Sequence, residues 1–196
     1  MKKLTIFLLI IFLFSISLGC SCQKPEPQPA ENTNQPEATT EQETEEEQIS
    51  ELYDEYKIMA GKWEGEWNNT TFGSTGASNA SAEINPDGTA SFTIDLDGFV
   101  FGLLNPPAKK FISKYDENGI TFKSQDPLFG NLTITIKKTS DNEASVNIKA
   151  TDVAAPGIES TVAIGTLTPE KLHLDYTVTF ITDETALGTV DMTKVE

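Results

Sequence analysis

The chain has no arginine, one histidine and two cysteines among its 196 residues. Each shortage excludes something. Phosphate recognition depends on a cationic surface and favours the forked guanidinium. A chain without arginine and with a formal charge of -16 is no partner for nucleic acid; its acidity serves solubility. A multi-histidine zinc or iron site needs more than His173. Strand alternation points His173 to solvent with Asp175 two residues on, and no Gly-x-Ser-x-Gly elbow exists to complete a hydrolase triad. No apolar run reaches the roughly 20 residues of a membrane-spanning helix.

The longest apolar run, Leu4 to Leu18, is 15 residues long and follows Lys2 and Lys3. That is the form of an export signal. It ends in Ser17-Leu18-Gly19-Cys20, with Cys22 close behind. Two thiols one residue apart lack the usual spacing of a metal site. The stretch resembles the lipobox of bacterial lipoproteins, although Ser17 stands where that family usually has leucine. The resemblance implies cleavage before Cys20 and a thioether-linked lipid on its sulfur, which removes Cys20 from any disulfide. Cys22 is the alternative acceptor of the lipid, and an ordinary secretory signal without lipidation is the competing reading. Loss of Lys2 and Lys3 takes the charge from -16 to -18. Attachment to the membrane would then fall to the lipid, because anionic headgroups repel such a chain. The expected location is the cell envelope, outside the cytoplasm.

Residues 23–48 contain four prolines, eight glutamates and one lysine, and nothing apolar larger than alanine. Such a segment cannot bury enough surface to offset its ordering entropy. The expected organisation is therefore a signal peptide over 1–19, a lipidated cysteine and disordered acidic linker over 20–48, and one folded domain over 49–196. The 26 linker residues would extend to at most about 90 Å.

At Ile49 the pattern changes. Ile49, Leu52, Tyr53, Tyr56 and Met59 recur at helical spacing, with Ser50 a candidate N-cap and Gly61 a candidate stop. A helix this short needs docking to persist. Its acids Glu51, Asp54 and Glu55 favour docking on the domain over lying on a membrane. Beyond Gly61 the period becomes two, and turn sequences such as Asn85-Pro86-Asp87-Gly88 and Asp116-Glu117-Asn118-Gly119 separate short runs. Leu172, Leu174, Tyr176, Val178 and Phe180 share one face. So do Leu132, Ile134 and Ile136, and so do Ala90, Phe92, Ile94 and Leu96. The fold class is all-β: an antiparallel meander closing into a barrel of eight to ten strands, which removes exposed edges. A two-sheet β-sandwich is the alternative.

Few residues suggest chemistry. Asp95-Leu96-Asp97-Gly98 lacks the oxygen series of a calcium loop, and Asp97-Gly98 reads as a hairpin turn. No catalytic set, metal site or cofactor motif is found. The aromatic residues say more. Trp63, Gly65 and Trp67 alternate with Glu64 and Glu66, and glycine between two indoles leaves room beside them. Phe99, Val100, Phe101, Leu103 and Leu104 form an apolar run without alternation. That is the pattern of a strand buried on both faces, or of a mouth where a ligand or lid sits.

A short helix, then Gly61-Lys62-Trp63 opening a long meander, resembles the lipocalin (calycin-like) superfamily. In that family a Gly-x-Trp begins the first barrel strand and the tryptophan closes one barrel end. The arginine that commonly stacks on it is missing here; Lys194 is the candidate replacement through a cation–π contact. The family's central Thr-Asp-Tyr is also missing. Two kinds of function follow. The first is a binding module for a small apolar or amphipathic ligand, with Trp63, Trp67, Phe92, Phe99 and Phe101 as candidate ligand-binding residues. Small inward residues (Ala80, Ala82, Ala90, Ala144, Ala150) would leave volume for it. The second is a structural or interaction domain with a filled core, displayed on the envelope. The volume of the lumen separates them. An enzyme is not expected.

Overall fold

The computed structural model describes residues 39–100 and 102–195. The expected signal peptide, Cys20, Cys22, the linker as far as residue 38, and Phe101 lie outside the described residues.

The helix α1 (Thr39–Tyr56) continues into a 3-10 turn, Lys57–Met59. It begins well before Ile49, so residues 39–48, expected in the linker, are helical, and Ser50 lies inside the helix rather than capping it. This stretch is rich in Glu and Gln, which have high helix propensity. Acidic residues near a helix start also suit its dipole. Lack of apolar residues removed the periodic signal, not the capacity to be helical.

Ten strands form one closed antiparallel barrel. In chain order they are β1 (Gly61–Asn69), β2 (Ser74–Ile84), β3 (Thr89–Leu96), β6 (Lys109–Asp116), β7 (Gly119–Asp126), β8 (Gly130–Ser140), β9 (Glu143–Thr151), β10 (Ile158–Leu167), β11 (Lys171–Phe180) and β12 (Thr185–Lys194). Two short strands, β4 (Phe99–Val100) and β5 (Leu103–Leu104), form a separate hairpin. Each barrel strand pairs with its neighbours in sequence, and β1 pairs with β12 to close the ring. The sandwich alternative is therefore excluded. The run from Phe99 to Leu104 is not a barrel strand: Gly98 (φ +91°) and Gly102 (φ +84°) bend it out of the β3–β6 connection.

The β6–β7 joint differs from the others. Backbone pairing is confined to Tyr115–Ile120 and Asp116–Gly119, at the hairpin end. Further along, Ser113 Oγ donates to the Thr121 carbonyl at 2.6 Å. At the far end Lys109 Nζ lies 2.7 Å from Asp126 Oδ2. Burial pushes the Asp126 carboxyl up, but Lys109 and the backbone N–H groups of Leu128 and Phe129 outweigh it and hold the carboxyl below its usual range.

The two barrel ends are unlike. α1 and the 3-10 turn cover one end. Tyr56 and Met59 are buried there, with Leu52, Tyr53 and Ile58 packed beside them. Tyr56 Oη donates to the Asp116 carbonyl at 3.1 Å, and its ring lies 5.5 Å from that of Tyr115. Trp63, 3 % exposed, sits at this end with Lys194 Nζ 5.8 Å from its ring centroid. The same ammonium donates to the Ile58 carbonyl at 3.2 Å. Lys194 thus ties the last strand to the first strand's tryptophan and to the covering turn.

Trp63→Ala should destabilise the domain by about 3–5 kcal/mol, the usual cost of removing a large core aromatic. Lys194→Met removes the cation–π contact, worth about 0.5–1 kcal/mol, together with the hydrogen bond to the Ile58 carbonyl, and should cost less than Trp63→Ala. Urea unfolding of both variants checks the order; equal losses would show that the Lys194 fastenings matter as much as burial of the indole.

Candidate functional site

Inward alternation around the barrel surrounds a cavity of about 680 Å³, lined from every barrel strand except β6. Its floor is Met59 and Trp63 at the covered end. Its walls include Phe92, Ile134, Leu174 and Val178, and it reaches Phe72, Phe99 and Gly102 at the opposite end. That end carries the β1–β2, β3–β6, β7–β8, β9–β10 and β11–β12 connections, because each strand reverses direction. Exposed apolar side chains collect there: Phe72, Phe99, Leu103, Leu104 and Ile181. The cavity therefore opens at the loop end beneath the β4–β5 hairpin. Asn105 and Gly98 hold the base of that hairpin. Asn105 N donates to the Gly98 carbonyl at 2.8 Å, and Gly98 N donates to Asn105 Oδ1 at 2.7 Å.

Trp63, Trp67, Phe92 and Phe99 all line this one cavity. Trp67 stands above Trp63 on β1, and its Nε1 donates to the Asp97 carbonyl at 2.7 Å. The space around its indole comes from Gly76, where a Cβ would collide with Nε1, and not from Gly65. Gly65 lies against β12 instead; a Cβ there would strike the Asp191 carbonyl oxygen. The glycine between the tryptophans serves strand approach rather than ligand room.

Several lining residues were not among the sequence candidates. Tyr176 fills the space over Gly188, where any Cβ would collide with its ring. Burial raises its phenol above the usual value, and a hydrogen bond with Asn69 opposes that in part. Ser91 lines the wall and donates to Glu83 Oε2 at 2.8 Å. Thr161 lines it as well, and its hydroxyl has no hydrogen-bond partner among the described residues. Inward alternation along β10 marks Thr161 as a polar residue at a core position. Ser78 Oγ is also buried without a partner, but Ser78 is not part of the lining.

His173 is exposed on the outer face of β11, between the lining residues Leu172 and Leu174, and is not part of the lining. Its Nδ1 lies 2.6 Å from Asp191 Oδ1 on β12, and its Nε2 lies 3.7 Å from Asp175 Oδ2. The cross-strand partner, Asp191, was not anticipated; the two residues face each other in the β11–β12 register. Among the described residues no group of three or more His, Cys, Asp or Glu side chains could hold a metal ion.

No family profile matches the chain, and no curated protein matches it. Among solved structures it is similar to the crystal structure of Rv2717c from M. tuberculosis, at 6 % identity and a TM-score of 0.52. The match covers 71 % of this chain and 93 % of the other. The likeness is one of barrel fold.

The hydrogen bond to Asp191 raises the His173 pKa, with burial opposing and Asp175 adding to the rise. A raised histidine pKa contributes stability that is complete below the unfolded value of about 6.5 and is lost as pH climbs through the folded value. Asp191→Asn should move the imidazole titration, followed by NMR, down toward that unfolded value. An unchanged titration would assign the shift to Asp175 instead.

Proposed function

We propose that the chain is a lipid-anchored, extracytoplasmic binding protein whose barrel takes up a small apolar or amphipathic molecule. One observation carries the binding half of this reading: a cavity of about 680 Å³, walled by apolar side chains and open at one end. Ligand sites are typically clefts of about 300–1,000 Å³ with mostly apolar walls. The Trp63 and Trp67 indoles and the Phe92 and Phe99 rings border that space. A display domain with a filled core finds less support, because its interior should be packed to the density of other protein cores.

The anchoring half rests on Gly19-Cys20 after a short apolar run. No helix among the described residues is long and apolar enough to cross a membrane. The fold and Gly61-Lys62-Trp63 support a lipocalin-like relationship, with Lys194 in the place of the family's arginine.

N-phenyl-1-naphthylamine, an uncharged dye, should bind with enhanced dye emission and altered indole emission. Trp63 and Trp67 are the only tryptophans, so the indole signal reports this cavity alone. Ala82→Leu adds side-chain volume to the lumen wall and should weaken the dye at least fivefold without lowering the melting temperature. Unchanged affinity in this variant would place the dye outside the barrel.

Labelled palmitate should enter the wild-type protein in cells and be absent from Cys20→Ala. Label retained in that variant would move the acceptor to Cys22, and a wild type without label would remove the anchor.

A further inference from the structure

Among the described residues, the lining of the cavity contains no aspartate, glutamate, lysine, arginine or histidine. Its polar groups are few, and two of them are hydrogen-bonded to residues behind the wall: Trp67 Nε1 to the Asp97 carbonyl and Ser91 to Glu83. Among the described residues the loops at the mouth offer no cation either. The loops at the open end contain Asp97, Asp152, Asp183 and Glu184 and no lysine. Lys109 begins β6 at this end, but Asp126 holds its ammonium at 2.7 Å. At the covered end Lys194 lies over Trp63, donates to the Ile58 carbonyl and is not part of the lining. A buried carboxylate without a cation or several donors is strongly disfavoured. A carboxylate left at the mouth would meet acids instead.

One polar group of the lining is buried without a partner among the described residues. Thr161, 9 % exposed, faces inward from β10 between Ala150 on β9 and Val178 on β11. Its hydroxyl has no partner among the described residues. Threonine commonly occupies more than one χ1 rotamer, so rotation can exchange methyl and hydroxyl toward the lumen. Leaving a buried hydroxyl unpaired is costly, whereas a ligand oxygen could accept its proton.

We infer that the barrel selects an uncharged lipid, a long apolar body carrying one hydrogen-bonding oxygen that pairs with Thr161, and discriminates against the carboxylate of the same chain length. The inference rests on the binding reading above and narrows it to a ligand class.

The test displaces N-phenyl-1-naphthylamine from the wild-type domain with 1-dodecanol or with dodecanoate. At pH 8 the alcohol should compete at least tenfold better than the carboxylate. The gap should narrow as pH falls toward 5 and the acid becomes protonated. Thr161→Val should weaken dodecanol threefold to tenfold and leave the dye within twofold. It should also hold or raise the melting temperature of the ligand-free protein, because it removes an unpaired hydroxyl at nearly constant volume. Equal competition by alcohol and carboxylate at pH 8, with the dye bound, would overturn selection against charge alone. Equal dodecanol affinity in Thr161→Val would overturn the role of that hydroxyl. Failure of the dye to bind would overturn the binding reading and this inference together.

Discussion

The pairing of β1 with β12 joins the two ends of the strand order, and the cavity depends on that closure. Trp63 faces Lys194 across this joint and Trp67 faces Val190. Once ten strands form one ring, the diameter is set by strand number and tilt. Eight strands leave an interior that side chains just fill. Ten strands with Ala80, Ala82 and Ala163 facing inward leave volume that the remaining residues do not occupy. The lumen is thus a geometric result of closure plus small side chains, and needs no separate device to keep it open.

Closure also gives the barrel two distinct ends. The covered end is polar in its fastenings: Tyr56 to Asp116, Tyr115 to Asn85 at 2.6 Å, and Lys194 to Ile58. The loop end exposes apolar side chains among its acids, with Phe72 and Phe99 each 66 % exposed. Buried aromatic residues stabilise the first end. Phe72 and Phe99 at the second remain in contact with solvent.

Period-two alternation made the barrel strands legible, because a wall with one dry face cannot slip register without turning its apolar side out. Trp63 and Trp67 were legible for the same reason. Thr39–Gln48 was not: glutamate-rich helix and glutamate-rich coil differ little in sequence when no apolar stripe marks a face. The β4–β5 hairpin has the sequence of a single apolar run, and only Gly98 and Gly102, which take positive φ, mark its bends. Thr161 and Tyr176 carry no local signal, because a hydroxyl among apolar residues gains meaning only when the wall around it is known. The outer pair of His173 and Asp191 needed the β11–β12 register, which no local pattern supplies.

The short β6–β7 ladder gives the ring an uneven compliance. Neighbouring strands elsewhere are joined by hydrogen bonds along most of their length; here two residue pairs, one hydroxyl and one ion pair span the joint. Any swelling of the circumference breaks the fewest backbone hydrogen bonds at this line. The barrel is then less like a rigid cup than like a sleeve with a laced seam, fixed at the Tyr115 end and drawn together at the other by Lys109 and Asp126.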